Sequence, residues 1–307
     1  MSSPVSEAVA TLAQRYVRHA PLSAGKAFLV GRYLNHHLQE HPRRRLTQTE
    51  FGARVAVDTQ DLIQRYLYLF GVWEPHMTGW LRRRLRPGDT YIDVGANIGY
   101  YTLLAAHLVG NGGQVVAVEA SPVFHRLLLR NVALNEYGNV RAINGAVSDK
   151  EETLKFVLAS SANMGANSIV PYEGQAESTF EAVARPLPDL LTEDEIRRAR
   201  VIKVDVEGAE GSVVRGMSAM LPLLRPDAEI TVEVTPDRMA QLGDSAEELM
   251  ETLSAHGFHP YRLVNDYAPE TYPAAIHGAS RVPERLHGSV TGESDLIFSK
   301  VDAETLP

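Results

Sequence analysis

The run from Asp93 to Gly99, with the letters DVGANIG, is the segment of the sequence best suited to hold a ligand. It follows an apolar stretch and precedes a helical pattern, so it predicts a strand-to-helix turn. A dinucleotide-binding turn has glycine at three positions, and here Asn97 and Tyr100 occupy the second and third, which disfavours a pyrophosphate. The free N–H groups of the helix suit a carboxylate and Asp93 suits an ammonium. Together they fit S-adenosylmethionine (SAM).

A second acidic residue, Glu119, ends the next predicted strand, about twenty residues after the glycine turn. A carboxylate at that place can accept hydrogen bonds from both hydroxyl groups of a ribose. We expect the adenine near Ser121 and Ala146, in the loops that follow the second and third strands. The predicted cofactor-binding residues are therefore Asp93, Gly95, Asn97, Gly99, Tyr101, Thr102, Glu119, Ser121 and Ala146.

Composition excludes several other kinds of chemistry. The 307 residues include no cysteine, which rules out disulfides, thiolate nucleophiles and cysteine-ligated metals. The formal net charge of −8 is the opposite of what binding to nucleic acid requires. No stretch approaches the roughly 18 consecutive apolar residues of a membrane span, and the first twenty residues lack an apolar signal core. We therefore expect a cytoplasmic protein with no nucleic-acid or membrane partner, and both a monomer and a homo-oligomer remain open.

The pattern of apolar residues, which predicts the elements that position these side chains, changes near Pro87 and Gly88. Residues 1–87 show helical spacing and predict a mostly helical cap that contacts the acceptor. Residues 88–307 alternate short apolar strands with amphipathic helices, which predicts an α/β domain with a parallel sheet and helices on both faces. The predicted strands run from Tyr91 to Val94, Val115 to Val118, Val140 to Ile143, Val201 to Val206 and Ile230 to Val234.

From about Phe70 to Val234 the chain resembles the FkbM family of SAM-dependent methyltransferases. The resemblance lies in FGVWEP at the start, the glycine turn, the VEASP run that contains Glu119, and above all IKVDVEGAE, which begins at Ile202. It implies a class I methyltransferase (Rossmann-like) fold with a seven-stranded, mostly parallel sheet and the antiparallel strand Ser294 to Phe298 beside the fifth. It also implies O-methylation of a small molecule such as a polyketide or sugar, as in antibiotic biosynthesis.

An alcohol needs a general base to become a good nucleophile at neutral pH. Asp205 is the first candidate, because a parallel strand delivers it beside the SAM turn, and Glu207 and Glu233 are the others. Glu210 is a further carboxylate that could take this role, and its alternative is an acid that stabilises the start of a helix. These carboxylates also suit Mg²⁺, but no Asp-Asp or Asp-Asn pair is present, so no metal is predicted.

Aromatic and polar residues just before the glycine turn are candidates for binding the acceptor. The predicted substrate-contacting residues are Tyr66, Phe70, Trp73, Glu74, Thr78 and Asn163. For the three aromatic residues the alternative is simple packing of helices onto the sheet. Two other functions remain open at this point: a nicotinamide-dependent oxidoreductase on the same sheet, and a SAM-binding subunit without catalysis.

Overall fold

The N-terminal region packs helices around a β-hairpin. The structure is a computed structural model and describes residues 4–20, 24–158, 167–169 and 178–306. The hairpin is not predicted from the sequence, because most side chains of its first strand are exposed and show no apolar alternation. In chain order the elements are α1 (Pro4–His19), α2 (Lys26–Leu29), a π-helical turn (Val30–Leu34), α3 (Asn35–Glu40), β1 (Arg44–Gln48), β2 (Arg54–Asp58), α4 (Leu62–Phe70) and α5 (Pro75–Arg84).

Most of the rest of the chain alternates strands and helices, as the sequence predicts, but the described part of residues 140–185 contributes strands only. The elements are β3 (Thr90–Val94), α6 (Tyr100–Val109), β4 (Gln114–Glu119), α7 (Pro122–Leu134), β5 (Val140–Asn144), β6 (Ala146–Val147), β7 (Glu152–Leu158), β8 (Asn167–Ser168), β9 (Ser178–Arg185), α8 (Leu187–Leu190), α9 (Glu193–Arg198), β10 (Ala199–Val204), α10 (Glu210–Met217), a 3₁₀ turn (Leu221–Leu223), β11 (Glu229–Val234), α11 (Pro236–Gln241), α12 (Ala246–Ser254), β12 (His259–Leu263), α13 (Tyr272–His277), β13 (Glu284–Arg285) and β14 (Ser294–Ser299).

The central sheet has the strand order β13-β12-β14-β11-β10-β3-β4-β5. Strands β11, β10, β3, β4 and β5 are parallel, and β14 runs antiparallel beside β11, which confirms the predicted fold class. The predicted count of seven strands is wrong, because the sheet has eight. The extra strand, β13, is short and pairs with Tyr261 and Arg262 of β12, and a strand of two residues leaves no periodic signal in the sequence.

Apolar cores cover both faces of this sheet. Every residue of β3 is buried, as expected for a parallel strand with helices on both sides. On one face, Trp80 and Leu81 of α5 join the same apolar cluster as Tyr91 of β3 and Leu104 of α6. The N-terminal region therefore packs directly onto the sheet, above the strand ends that follow Val94. The division of the chain into domains at residue 87 stays a prediction.

A second, smaller sheet stands beside the central one, with the order β6-β9-β7-β8. It begins at Ala146, directly after β5, so it rises from the carboxyl end of a central strand. Its longest pairing joins β7 and β9, in which Phe156 lies opposite Phe180. The sequence analysis does not predict this sheet. Among the residues that the structure describes, no helix combines the length and the apolar character required to traverse a bilayer.

Candidate active site

A cavity of about 260 Å³ opens at the carboxyl ends of the parallel strands. Its wall includes Gly95 after β3, Glu119 at the end of β4, Asp205 after β10 and Glu233 near the end of β11. This edge is where parallel α/β sheets bind their ligands. Four strands separated in the sequence therefore bring predicted cofactor residues and predicted catalytic residues to one cavity.

The glycine turn approaches the loop after β10 so closely that a side chain does not fit between them. Gly95 has a φ of 85°, and a Cβ atom added to it would lie 1.8 Å from the backbone oxygen of Asp205. Asn97 also adopts a left-handed conformation, with a φ of 52°. The turn is thus shaped by two close backbone segments, and any residue other than glycine at position 95 would push them apart.

Glu119 lies in the cavity wall with both carboxylate oxygens held by backbone. Its Oε2 accepts a hydrogen bond from the N–H of Asn97 at 2.7 Å, and its Oε1 accepts one from Ser121 at 2.8 Å. Burial raises the pKa of Glu119 to about 7, although the two N–H donors oppose the shift. Because a carboxylate offers about four acceptor positions, each oxygen retains capacity for a further donor such as a ribose hydroxyl.

The predicted cofactor residues divide into those that line the cavity and those that lie outside its wall. Gly95, Asn97, Glu119 and Ala146 line it. The others do not belong to the lining: Asp93 is buried and accepts a hydrogen bond from the Thr102 hydroxyl at 2.6 Å, and the Tyr101 hydroxyl donates to Glu74. The remaining two are Gly99 and Ser121, which are the N-caps of α6 and α7.

The three candidate bases have different electrostatic surroundings. Asp205 Oδ2 is 2.6 Å from the Nζ of Lys203, which is only 6% exposed. Glu207 forms an ion pair with Arg238, another residue of the cavity wall. Glu233 pairs with Asp295 through the backbone of the sheet, but its carboxylate has neither a hydrogen bond nor an ion pair with any residue in the described ranges. Burial and the neighbouring carboxylates of Asp205, Asp295 and Glu74 raise its pKa, and Lys203 opposes the shift.

Three carboxylates meet at one end of the cavity. Oxygen atoms of Glu74, Glu233 and Asp295 lie within 4.8 Å of one another, close enough to hold a metal ion. Glu74 is buried and also accepts a hydrogen bond from the Tyr267 hydroxyl at 2.9 Å. Burial raises the pKa of both Glu74 and Asp295. The expectation that the enzyme uses no metal stays a prediction.

Two of the predicted acceptor residues reach the cavity. Trp73 lines it and stacks on Tyr267, with ring centroids 5.5 Å apart, and Glu74 lies beside them. Tyr66, Phe70 and Thr78 are buried and do not belong to the lining: the two aromatic rings pack against Tyr272, and the Thr78 hydroxyl donates to the Trp73 carbonyl at 2.7 Å. Asn163 lies outside the described residues.

Several lining residues are missed by the sequence analysis. Arg238 lies on the short helix α11 and Tyr267 lies on a loop, and the positions of both segments depend on tertiary packing. Phe156 and Phe180 come from the second sheet, where their rings stack at 4.9 Å with planes 3° apart. The alternating apolar residues of the segment ETLKFVL could have revealed β7 as a strand, but not that it borders the cavity.

Comparison with known proteins gives a consistent picture. A family model described as the methyltransferase FkbM domain matches residues 93–260. The chain is 30% identical over 202 residues to the 31-O-demethyl-FK506 methyltransferase FkbM of Streptomyces tacrolimicus. This aligned region covers 57% of this chain and 74% of that protein. It is 29% identical over 162 residues to the methyltransferase sdnD of Sordaria araneosa, covering 43% and 61%. A protein-L-isoaspartate O-methyltransferase of Caenorhabditis elegans is 35% identical over 95 residues, covering 28% and 42%.

Proposed function

The chain belongs to the FkbM family of methyltransferases, and from this premise we propose that it methylates a hydroxyl group of a small molecule with SAM as the methyl donor. The match includes the glycine turn, which favours methyl transfer over the oxidoreductase alternative. The observation that carries the proposal is the carboxylate of Glu233, which lies in the cavity wall and forms no ion pair with any described residue.

The residues of the cavity fit SAM. Glu119 offers free acceptor positions to the ribose, and Gly95 and Asn97 of the glycine turn lie beside it in the cavity wall. When bound, SAM would supply a methyl group on a positively charged sulfur. A cavity that excludes water favours this transfer, because water stabilises the charged reactants more than the dispersed transition state.

Glu233 is the general base in this proposal. Asp205 and Glu207 each form an ion pair, with Lys203 and with Arg238, so both carboxylates already have a cationic partner. Glu233 forms no ion pair with any described residue, and burial and the neighbouring carboxylates raise its pKa although Lys203 opposes the shift, which increases its affinity for the proton of the acceptor hydroxyl. A positioned base of this kind typically contributes about 10²–10⁴-fold to the rate.

The acceptor end of the cavity supports a small substrate. The stacked rings of Trp73 and Tyr267 provide an apolar surface, and Glu74 provides a polar group beside it. Apolar walls with a few fixed polar groups are typical of small-molecule sites. Among the described lining residues Arg238 is the only cationic side chain, and Glu207 pairs with it, so the site has little to offer a nucleic-acid phosphate.

The proposal is tested by measuring S-adenosylhomocysteine formation with a panel of macrolides, polyols and glycosides, with protein and RNA as comparison substrates. We expect turnover with a hydroxylated small molecule. Transfer confined to protein or RNA, or no transfer to any acceptor while SAM still binds, would overturn the proposal, and the second result would support the non-catalytic alternative.

With the best acceptor of that panel, Glu233→Gln is expected to lower kcat by at least about 10²-fold while SAM affinity changes little. Asp205→Asn should lower kcat less, because its partner Lys203 already neutralises that carboxylate. Glu293→Gln is the matched control, since Glu293 lines the same cavity but is exposed. Equal losses in the Asp205 and Glu233 variants would argue against Glu233 as the base.

A further inference from the structure

The loop between β10 and α10 has a conformation that its own residues do not favour. It carries Asp205 and Glu207 to the cavity. Glu207 has a φ of 59° and Gly208 a φ of 111°, so two consecutive residues are left-handed. A non-glycine residue rarely adopts this conformation unless its surroundings impose it. Contacts from outside the loop must therefore hold it in place.

Glu210 makes such a contact. It is the first residue of α10 and is only 1% exposed, and its Oε1 accepts a hydrogen bond from the Gly208 N–H at 2.9 Å. Its Oε2 is buried as well and has no hydrogen-bond partner within the described residues. An acid that only stabilises a helix start can do so while exposed to water. Burying this carboxylate is unfavourable, so stabilisation of the helix start does not explain why Glu210 is buried against the loop.

The loop held by Glu210 also forms one side of the cofactor turn. The N–H of Asp205 donates to the Val94 carbonyl at 3.0 Å, and the Asp205 carbonyl occupies the space where a Cβ of Gly95 would lie. Any shift of residues 205–208 therefore moves the backbone of the glycine turn. The contact of Glu210 with Gly208 therefore affects the positions of the Asp205 and Glu207 carboxylates and of the glycine turn.

We infer that Glu210 is a positioning residue, which fixes the loop of residues 205–208 and thereby the shape of the SAM site. The inference rests on the methyltransferase assignment but not on the acceptor. Its test measures S-adenosylhomocysteine binding and amide hydrogen exchange, and neither readout requires an acceptor. Failure of the proposed O-methylation is therefore distinguishable from failure of the inference about Glu210.

The experiment compares Glu210→Ala with Glu210→Gln in the full chain. The alanine variant is expected to bind S-adenosylhomocysteine about 10-fold more weakly by calorimetry, the scale of one lost hydrogen bond to a charged group. Exchange should increase in peptides that cover residues 205–209 and 95–99. The glutamine variant should stay within about threefold of the parent, because its amide oxygen can still accept the Gly208 N–H.

Glu195→Ala is the matched control, since Glu195 is also a buried glutamate near a helix start but pairs with Arg141. It should lower the melting temperature without changing either readout. If Glu210→Ala does not fold, Glu210→Asp replaces it, because a side chain one methylene shorter cannot reach Gly208. Unchanged affinity and exchange in these variants, or a glutamine variant as weak as alanine, would overturn the inference.

Discussion

At the scale of single residues, carboxylates dominate the cavity wall. Each is held differently: Glu119 by two backbone N–H groups, Asp205 by Lys203, and Glu74 by the hydroxyls of Tyr101 and Tyr267. Lys203 also lies 5.0 Å from the centroid of the Tyr101 ring, so its ammonium is enclosed by an aromatic face and carboxylates. These partners determine which acid binds the cofactor and which one remains able to accept a proton.

Glu119→Ala is expected to weaken S-adenosylhomocysteine binding by roughly 1.5–3 kcal/mol, the scale of hydrogen bonds to a charged group. The reason is that the buried carboxylate is placed to accept the ribose hydroxyls and also orients the Asn97 N–H. Isothermal titration calorimetry measures the change. Glu293→Ala, at an exposed position of the same cavity wall, should bind normally. An unchanged dissociation constant for Glu119→Ala would exclude Glu119 as the ribose ligand.

At the scale of elements, the cavity is completed by parts of the chain that lie outside the central sheet. Helix α4 contributes Leu62 and Ile63, and the second sheet contributes Leu154, Phe156 and Phe180. Phe156 belongs to the same apolar cluster as Ala146, with Ala120 packed against it. Because Ala146 is a predicted adenine contact, the second sheet is well placed to cover the adenine end of the cavity.

Phe156→Ala should therefore reduce S-adenosylhomocysteine affinity, by on the order of 1 kcal/mol or more, through loss of aromatic surface against the adenine. Val183→Ala is the control, because Val183 lies in β9 of the same sheet but is half exposed. Calorimetry on both variants checks the prediction. If the two variants bind equally well, the second sheet does not contact the cofactor.

At the scale of the whole molecule, the raised pKa values of buried carboxyls make stability depend on pH. Burial raises the pKa of Glu119 to about 7 in the folded protein, from an ordinary value of 4.5. The folded state therefore keeps a proton that the unfolded state releases, and stability decreases as pH rises through this range. His37 and His76, whose pKa values are lowered by burial, act in the opposite direction below neutral pH.

Comparing the stability of the wild type with that of Glu119→Gln isolates the contribution of Glu119, because the histidines are the same in both proteins. Without ligand, the wild type should lose stability relative to the variant between pH 4.5 and about 7. The relative loss should be on the order of 2–3 kcal/mol, since one pKa unit corresponds to about 1.4 kcal/mol. Urea unfolding at pH 4.5, 6 and 7.5 measures it. A constant difference across these pH values would show that the carboxyl is not perturbed.

The sequence by itself determined the local framework of the site. The strand before Gly95, the turn and helix after it, and the acid at Glu119 follow from apolar periodicity, glycine positions and spacing along a short stretch of chain. The motif around Asp205 and the order of alternating elements were sufficient for the family and the fold class. These features are local, so neighbouring residues in the chain contain the information that specifies them.

Only the tertiary structure decided which charged groups meet. The pairing of Glu207 with Arg238, the approach of Tyr267 to Glu74, and the unpaired state of Glu233 among the described residues depend on contacts between distant segments. The same holds for the burial of Tyr66 and Phe70 outside the cavity, since aromatic side chains serve packing and binding equally well. Spacing along the chain does not specify such contacts, because they arise when separate elements pack against one sheet edge.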